Sequence, residues 1–196
     1  MSLAPQTFER LRPPLRIVLP SGQKILVCKA GPEDRDKLRA FYESLTPETI
    51  YSRFLHIVKD FTRYVELVLG PLNKYGVVLL AYDEKKGLEK PVAVAEVFSK
   101  EGIVGEVAVT VHEEYRGRGI GTILVILAVL EAYHNGIRRI EAYVLADNIA
   151  ALRIARKMGM KLAYTGSGVY HAIVEIEEAA PKALQLLTSF KIEKIT

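Results

Sequence analysis

Between Val104 and Thr122 the residue types change in an order that suits the binding of an anion. Val104-Gly105-Glu106-Val107-Ala108-Val109-Thr110-Val111 reads as a strand, and Arg116-Gly117-Arg118-Gly119-Ile120-Gly121-Thr122 reads as a glycine-rich turn that opens a strongly apolar helix. First-turn N–H groups of a helix have no intrahelical acceptor, and the aligned peptide dipoles add partial positive charge there. A phosphate placed at that end is stabilised. Gly117, Gly119 and Gly121 let a pyrophosphate approach the main chain without meeting a Cβ, while Arg116 and Arg118 add cationic charge nearby. The segment lacks the Gly-Lys-Ser/Thr ending of a P-loop and the full G-x-G-x-x-G with a later acidic residue of a Rossmann site.

The flanking chain supplies elements that could hold such a segment. Leu15–Leu19 and Lys24–Lys29 alternate as two strands joined at Ser21-Gly22, which predicts a hairpin. After Gly31-Pro32, helical spacing of Leu38, Phe41, Tyr42 and Leu45 predicts a helix. Thr46-Pro47 reads as an N-cap followed by proline at the first helical position, and Phe61 to Leu69 is a further helical stretch. Strands follow at Val77–Tyr82, Val92–Phe98 and Val104–Val111, then a helix from Gly119 to Asn135. A strand at Ile140–Leu145, a helix from Asn148 to Met158, and strands at Lys161–Tyr164 and Val169–Ile176 complete the pattern. This order predicts one mixed α/β domain over residues 15–176, with an N-terminal extension at 1–14. A C-terminal extension at 177–196 carries a helical pattern through Leu184, Leu187 and Phe190, after Ala179-Ala180-Pro181.

Composition narrows the function classes. A net charge of +4 suits anionic ligands but is not a polybasic nucleic-acid signature. The most apolar run, Ile123–Leu130, is about half the length that a bilayer requires and gives no membrane signal. Cys28 is the one cysteine, and the N-terminus lacks a signal-peptide pattern, so the expected setting is the cytoplasm. None of His56, His112, His134 or His171 shows metal-ligand spacing, and no metal is expected.

Arg116-x-x-Gly119-x-Gly121 resembles the R/Q-x-x-G-x-G/A signature of the GNAT superfamily of acyltransferases, which grips the pyrophosphate of acetyl-CoA. The resemblance continues through Asn148-Ile149-Ala150-Ala151-Leu152 and Lys157-Met158-Gly159-Met160. A narrower likeness, in Gly31-Pro32-Glu33-Asp34, Tyr42 to Phe54 and Gly105-Glu106-Val107-Ala108-Val109, is to Pat-type protein lysine acetyltransferases. It implies a GNAT fold, a mixed and mostly antiparallel sheet flanked by helices, here with an extra N-terminal hairpin. It also implies acetyl-CoA as cosubstrate, held by Arg116, Gly117, Arg118, Gly119, Ile120, Gly121 and Thr122 at the pyrophosphate. Val109, Thr110 and Val111 would pair with the pantetheine amides, and Asn148 would contact the same arm or simply cap its helix. Glu106 matches the strand glutamate that serves as general base for a lysine acceptor on a protein. The family's usual tyrosine acid is replaced by Ala155, and none of Tyr143, Tyr164 or Tyr170 is assigned in its place. Two other readings share the cradle: transfer to a small amine or a protein N-terminus, and a non-catalytic acyl-CoA-binding module that has no need of Glu106.

Overall fold

The structure, a computed structural model, describes residues 11–195, so most of the segment expected as an N-terminal extension lies outside the described residues. β1 (Leu15–Val18) and β2 (Lys24–Lys29) form the expected hairpin, turning at Gly22, where φ is 81°. A short 3₁₀ turn leads into α1 (Arg35–Glu43), and α2 (Pro47–Phe54) starts where the Thr46 hydroxyl accepts from the Thr49 N–H at 3.3 Å. α3 (Thr62–Leu69) ends at Gly70-Pro71. β3 (Val77–Asp83), β4 (Ala93–Phe98) and β5 (Val104–Val111) follow as successive antiparallel neighbours. Then come α4 (Ile120–His134), β6 (Arg139–Leu145), α5 (Ile149–Lys157), β7 (Lys161–Tyr164) and β8 (Val169–Glu175).

With a last strand, β9 (Lys191–Lys194), the nine strands among the described residues form one sheet, in the order β7-β8-β6-β5-β4-β3-β2-β1-β9. Every neighbouring pair is antiparallel except β5 and β6, which the crossover helix α4 connects. Period-two alternation sends Val107, Ile140 and Val144 to the face covered by α4. Leu80, Tyr82 and Val94 pack on the opposite face, against Leu38, Tyr42 and Val65 of α1 and α3. α4 is buried nearly all round, from Ile120 to Ala132, which accounts for its unbroken apolar sequence.

The C-terminal segment departs from its expected course. α6 (Ile176–Leu187) begins before Pro181 rather than after it, directly from β8. Ala179, Ala180 and Ala183 are completely buried there, and such small side chains allow a close approach to the core. A short strand absent from the sequence expectation, β9 (Lys191–Lys194), then pairs with β1 and covers its otherwise free edge. Phe190 reaches the cradle, where its ring lies 3.6 Å from where a Cβ on Gly119 would stand. Deleting residues 189–196 should expose the β1 edge and the surface under Phe190. Urea unfolding should then show a loss on the order of 2 kcal/mol, and gel filtration should show concentration-dependent association.

Candidate functional site

β5 and β6 pair at only three positions, Val104↔Arg139, Gly105↔Ile140 and Glu106↔Glu141, and then separate. The separation opens a cleft of about 1840 Å³, walled by Glu106 to Val111 on one side and Ala142 to Asn148 on the other. The His112 N–H donates to the Val92 carbonyl at 3.0 Å, which sets the phase of the β4–β5 ladder. In that phase Thr110, opposite Val94, spends its main-chain groups on β4, whereas those of Val109 and Val111 point away from β4 toward the cleft. The three residues expected to pair with pantetheine therefore divide. Val109 and Val111 present main-chain groups to the cleft; Thr110 lines it with a buried hydroxyl that has no hydrogen-bond partner.

The glycine turn closes one end. Gly117 and Gly119 have φ of 73° and 84°, a region that side chains disfavour, so the turn depends on glycine. No side chain caps α4, and its first intrahelical bond runs from Ile123 N–H to the Gly119 carbonyl at 3.1 Å. The N–H groups of Ile120, Gly121 and Thr122 thus have no intrahelical acceptor, and all three residues line the cleft. Arg116 stays with them: it donates to the Val111 carbonyl at 3.3 Å and to the Thr49 hydroxyl. Arg118 does not. Its guanidinium lies over the Tyr115 ring and donates to Gln23 Oε1 at 2.9 Å and the Glu114 carbonyl at 2.6 Å, so the expected second charge at the cradle is directed elsewhere.

Helix α2 ties these parts together. At its start, Glu113 Oε1 accepts from the Thr46 N–H at 3.1 Å, the Thr46 hydroxyl at 2.9 Å and the Thr49 hydroxyl. Partial burial alone would raise the Glu113 carboxyl; these hydrogen bonds outweigh it and hold the group at about 2, against an ordinary value of 4.5. Midway, Ser52 accepts from Asn148 Nδ2 at 2.9 Å, while Asn148 Oδ1 caps α5 by accepting from the Ala151 N–H at 3.1 Å. Near the end, Arg53 donates to Glu96 Oε2 at 2.6 Å and to the Tyr64 hydroxyl, and Tyr64 donates to the same carboxylate at 2.6 Å. Glu96 is 2% exposed, and its Oε1 has no partner.

Glu106 lies on the face opposite Val107, at the point where the strands part. It is open to solvent because the cleft is open, yet the cleft walls strip water from its carboxyl. Its proton affinity is raised above the ordinary 4.5 by burial first; Arg53 opposes the rise, Glu141 and Glu96 add to it, and His171 opposes it. Sequence reasoning missed Glu96, hidden in an apolar strand, and left Arg53 without a role. It also missed Glu113 and Thr49, whose partners lie more than sixty positions apart. Ala155 is a buried wall residue. Of the three unassigned tyrosines, Tyr143 lines the cleft, while Tyr164 and Tyr170 do not. Among the described residues no group of His, Cys, Asp or Glu is placed to hold a metal, and no helix is long and apolar enough to cross a membrane.

A family model described as acetyltransferase (GNAT) family matches residues 36–160. Acetyltransferase Pat of Mycolicibacterium smegmatis is 26% identical over 177 residues, which are 89% of this chain and 52% of that protein. The chain thus spans about half the length of this curated relative. The GNAT domain of S. lividans PAT superposes with a TM-score of 0.70 at 22% identity, over 82% of this chain and 95% of that one. The structure of yncA from Salmonella typhimurium with its cofactor acetyl-CoA gives 0.59 at 17% identity, over 78% and 94%.

The Glu113 hydrogen bonds carry a pH signature. A carboxyl held at about 2 in the fold and 4.5 outside it stabilises the fold fully above about pH 4.5 and loses that contribution as the pH falls toward 2. The contribution is at most about 3 kcal/mol, less what solvent screens at this partly exposed group. Glu113→Gln should cost about 1–2 kcal/mol in urea unfolding at pH 7. The gap from wild type should narrow steadily below pH 4.5; a gap independent of pH would rule out this ionised role.

Proposed function

Because the chain belongs to the GNAT family of acetyltransferases, we propose that it transfers the acetyl group of acetyl-CoA to an amine, specifically a lysine side chain of a protein, with Glu106 as general base. The observation that carries this reading is the position of Glu106. It stands at the last residue pair shared by β5 and β6, where the opening faced further along β5 by the Val109 and Val111 main-chain groups begins. The cleft suits the cosubstrate: a glycine turn at positive φ, unpaired helix N–H groups and Arg116 form a pyrophosphate cradle at one end.

In this mechanism the pyrophosphate sits on the N–H groups of Ile120, Gly121 and Thr122, with the Arg116 guanidinium released from Thr49 to pair with it. The pantetheine amides extend β5 through Val109 and Val111 and are bounded by Asn148. Glu106 takes a proton from the acceptor ammonium, which otherwise stays protonated at neutral pH with a value near 10.4. The freed amine attacks the thioester carbonyl. A main-chain N–H of β5 stabilises the oxyanion, whose collapse expels the thiolate of CoA; the nitrogen sheds its second proton to give the amide, and the thiolate takes up a proton directly or through water. A raised Glu106 value makes it a stronger base than an ordinary glutamate. The acceptor assignment rests on the likeness to Pat-type enzymes and on the carboxylates Glu106 and Glu141, which suit a cation; Glu96 is already paired with Arg53.

Glu106→Gln should lower kcat/KM for a lysine peptide by about 10²–10⁴-fold and leave the calorimetric Kd for acetyl-CoA within about two-fold. In wild type, kcat/KM should fall as the pH drops through the Glu106 value, which lies above 4.5, because protonation removes the base. This acid limb should vanish in the residual activity of the variant. Unchanged turnover would reject Glu106 as the base. Binding of acetyl-CoA without turnover of any amine would instead favour a regulatory module.

A further inference from the structure

A second feature of the cleft lies beside Glu106 and takes no part in the transfer chemistry above. Ile140, Ala142 and Val144 of β6 point into the core under α4, so Glu141 and Tyr143 stand on the same face as Glu106. On β8, Ala172 and Val174 point into that core, which puts His171 on the Glu106 face as well. Tyr143 and His171 are directly opposite each other, and their rings stack 4.6 Å apart at an interplanar angle of 4°. His171 Nε2 lies 2.9 Å from Glu141 Oε2, which fixes the imidazole against the tyrosine.

The consequence comes from strand order. β6 lies between β8 and β5. His171 therefore covers the β8 side of the Tyr143 ring, and the other side looks toward β5 across the part of the sheet where the two strands have separated. Tyr143 is 45% exposed and lines the cleft. A surface tyrosine with free rotamers would be unremarkable; this one is backed by a ring that is itself hydrogen-bonded in place.

We propose that Tyr143, backed by His171 and flanked by Glu141, is the acceptor subsite and selects an alkylammonium chain. The proposal rests on the amine-acetyltransferase reading and adds the residues that choose the acceptor. An aromatic face attracts a cation through its quadrupole while its apolar surface packs against methylenes, so a lysine side chain satisfies both. Glu106 lines the cleft and adds negative charge there, while Glu141 is turned to His171 behind the ring. Arg53, the guanidinium that acts on Glu106, is already paired with Glu96 and so opposes an incoming ammonium less. A neutral chain would keep only the methylene packing, and an anionic one would be repelled.

The test separates binding from transfer. A lysine peptide, and the same peptide with norleucine in place of lysine, is titrated calorimetrically into CoA-saturated wild type, Tyr143→Phe, Tyr143→Leu and Tyr143→Ala, with acetyl-CoA affinity as the check on folding. Wild type and Tyr143→Phe should agree within about two-fold, and Tyr143→Ala and Tyr143→Leu should bind the lysine peptide about ten-fold more weakly. The norleucine peptide should bind more weakly than the lysine peptide and lose clearly less affinity than it does on Tyr143→Ala. Equal lysine-peptide affinity in wild type and Tyr143→Ala, or no lysine-peptide binding at all, would overturn the subsite. Turnover measured in parallel distinguishes the two readings. Tyr143-dependent binding without acetylation supports the subsite and defeats lysine transfer. Acetylation whose KM ignores Tyr143 defeats the subsite and leaves lysine transfer standing.

Discussion

A strand that loses its neighbour must place its freed N–H and C=O groups somewhere, and β5 loses β6 after Glu106. The rest of the site is arranged around that opening. Antiparallel pairing with β4 continues through Val111, so every second residue of β5 stays committed to the ladder and the alternate residues face the opening. The chain then turns through Gly117 and Gly119 and starts α4, whose own unpaired N–H groups emerge at the same mouth. Two kinds of unsatisfied backbone, a strand edge and a helix end, meet in one cleft. An extended amide-bearing arm with a pyrophosphate at one end matches both.

α2 gives this opening its second wall. Its contacts fall on three parts of the cleft: Glu113 and Arg116 beside the glycine turn, Asn148 at the head of α5, and Glu96 on β4, whose charge acts on Glu106. Burying the Arg53–Glu96 pair costs desolvation, and Tyr64 offsets part of that cost by binding the same carboxylate oxygen. The pair also leaves Glu106 between opposing fields, since Arg53 lowers and Glu96 raises its value. The balance lies with the raised form because burial is the largest influence. Glu106 is thus tuned by groups contributed from α2, β4, β6 and β8 together.

Much of the fold was legible because its signals are local. Glycine and proline punctuation marked most boundaries, alternation marked β5 to the residue, and the apolar run after Gly119 marked a buried helix. The cradle was legible for the same reason: turn, glycines and helix start are contiguous. What escaped depends on partners distant in sequence. Nothing near Glu96 announces Arg53, 43 positions away, and the ladder phase that commits Thr110 to β4 follows from a bond between His112 and Val92. Arg118 reads like Arg116 in the motif, but Tyr115 and Gln23 hold it elsewhere. β9 is four residues of ordinary surface composition, and it forms because β1 offers an edge.

Acetyl-CoA held in this opening by its exposed backbone, rather than on another surface, leaves a pattern that amide hydrogen exchange followed by NMR reads residue by residue. In the free protein the Thr110 amide should exchange slowly, while those of Val109, Val111 and Ile120 to Thr122 exchange fast. Saturating acetyl-CoA should slow the latter group and leave Thr110 unchanged. Binding that protects amides elsewhere while Val109, Val111 and the start of α4 continue to exchange fast would contradict the account.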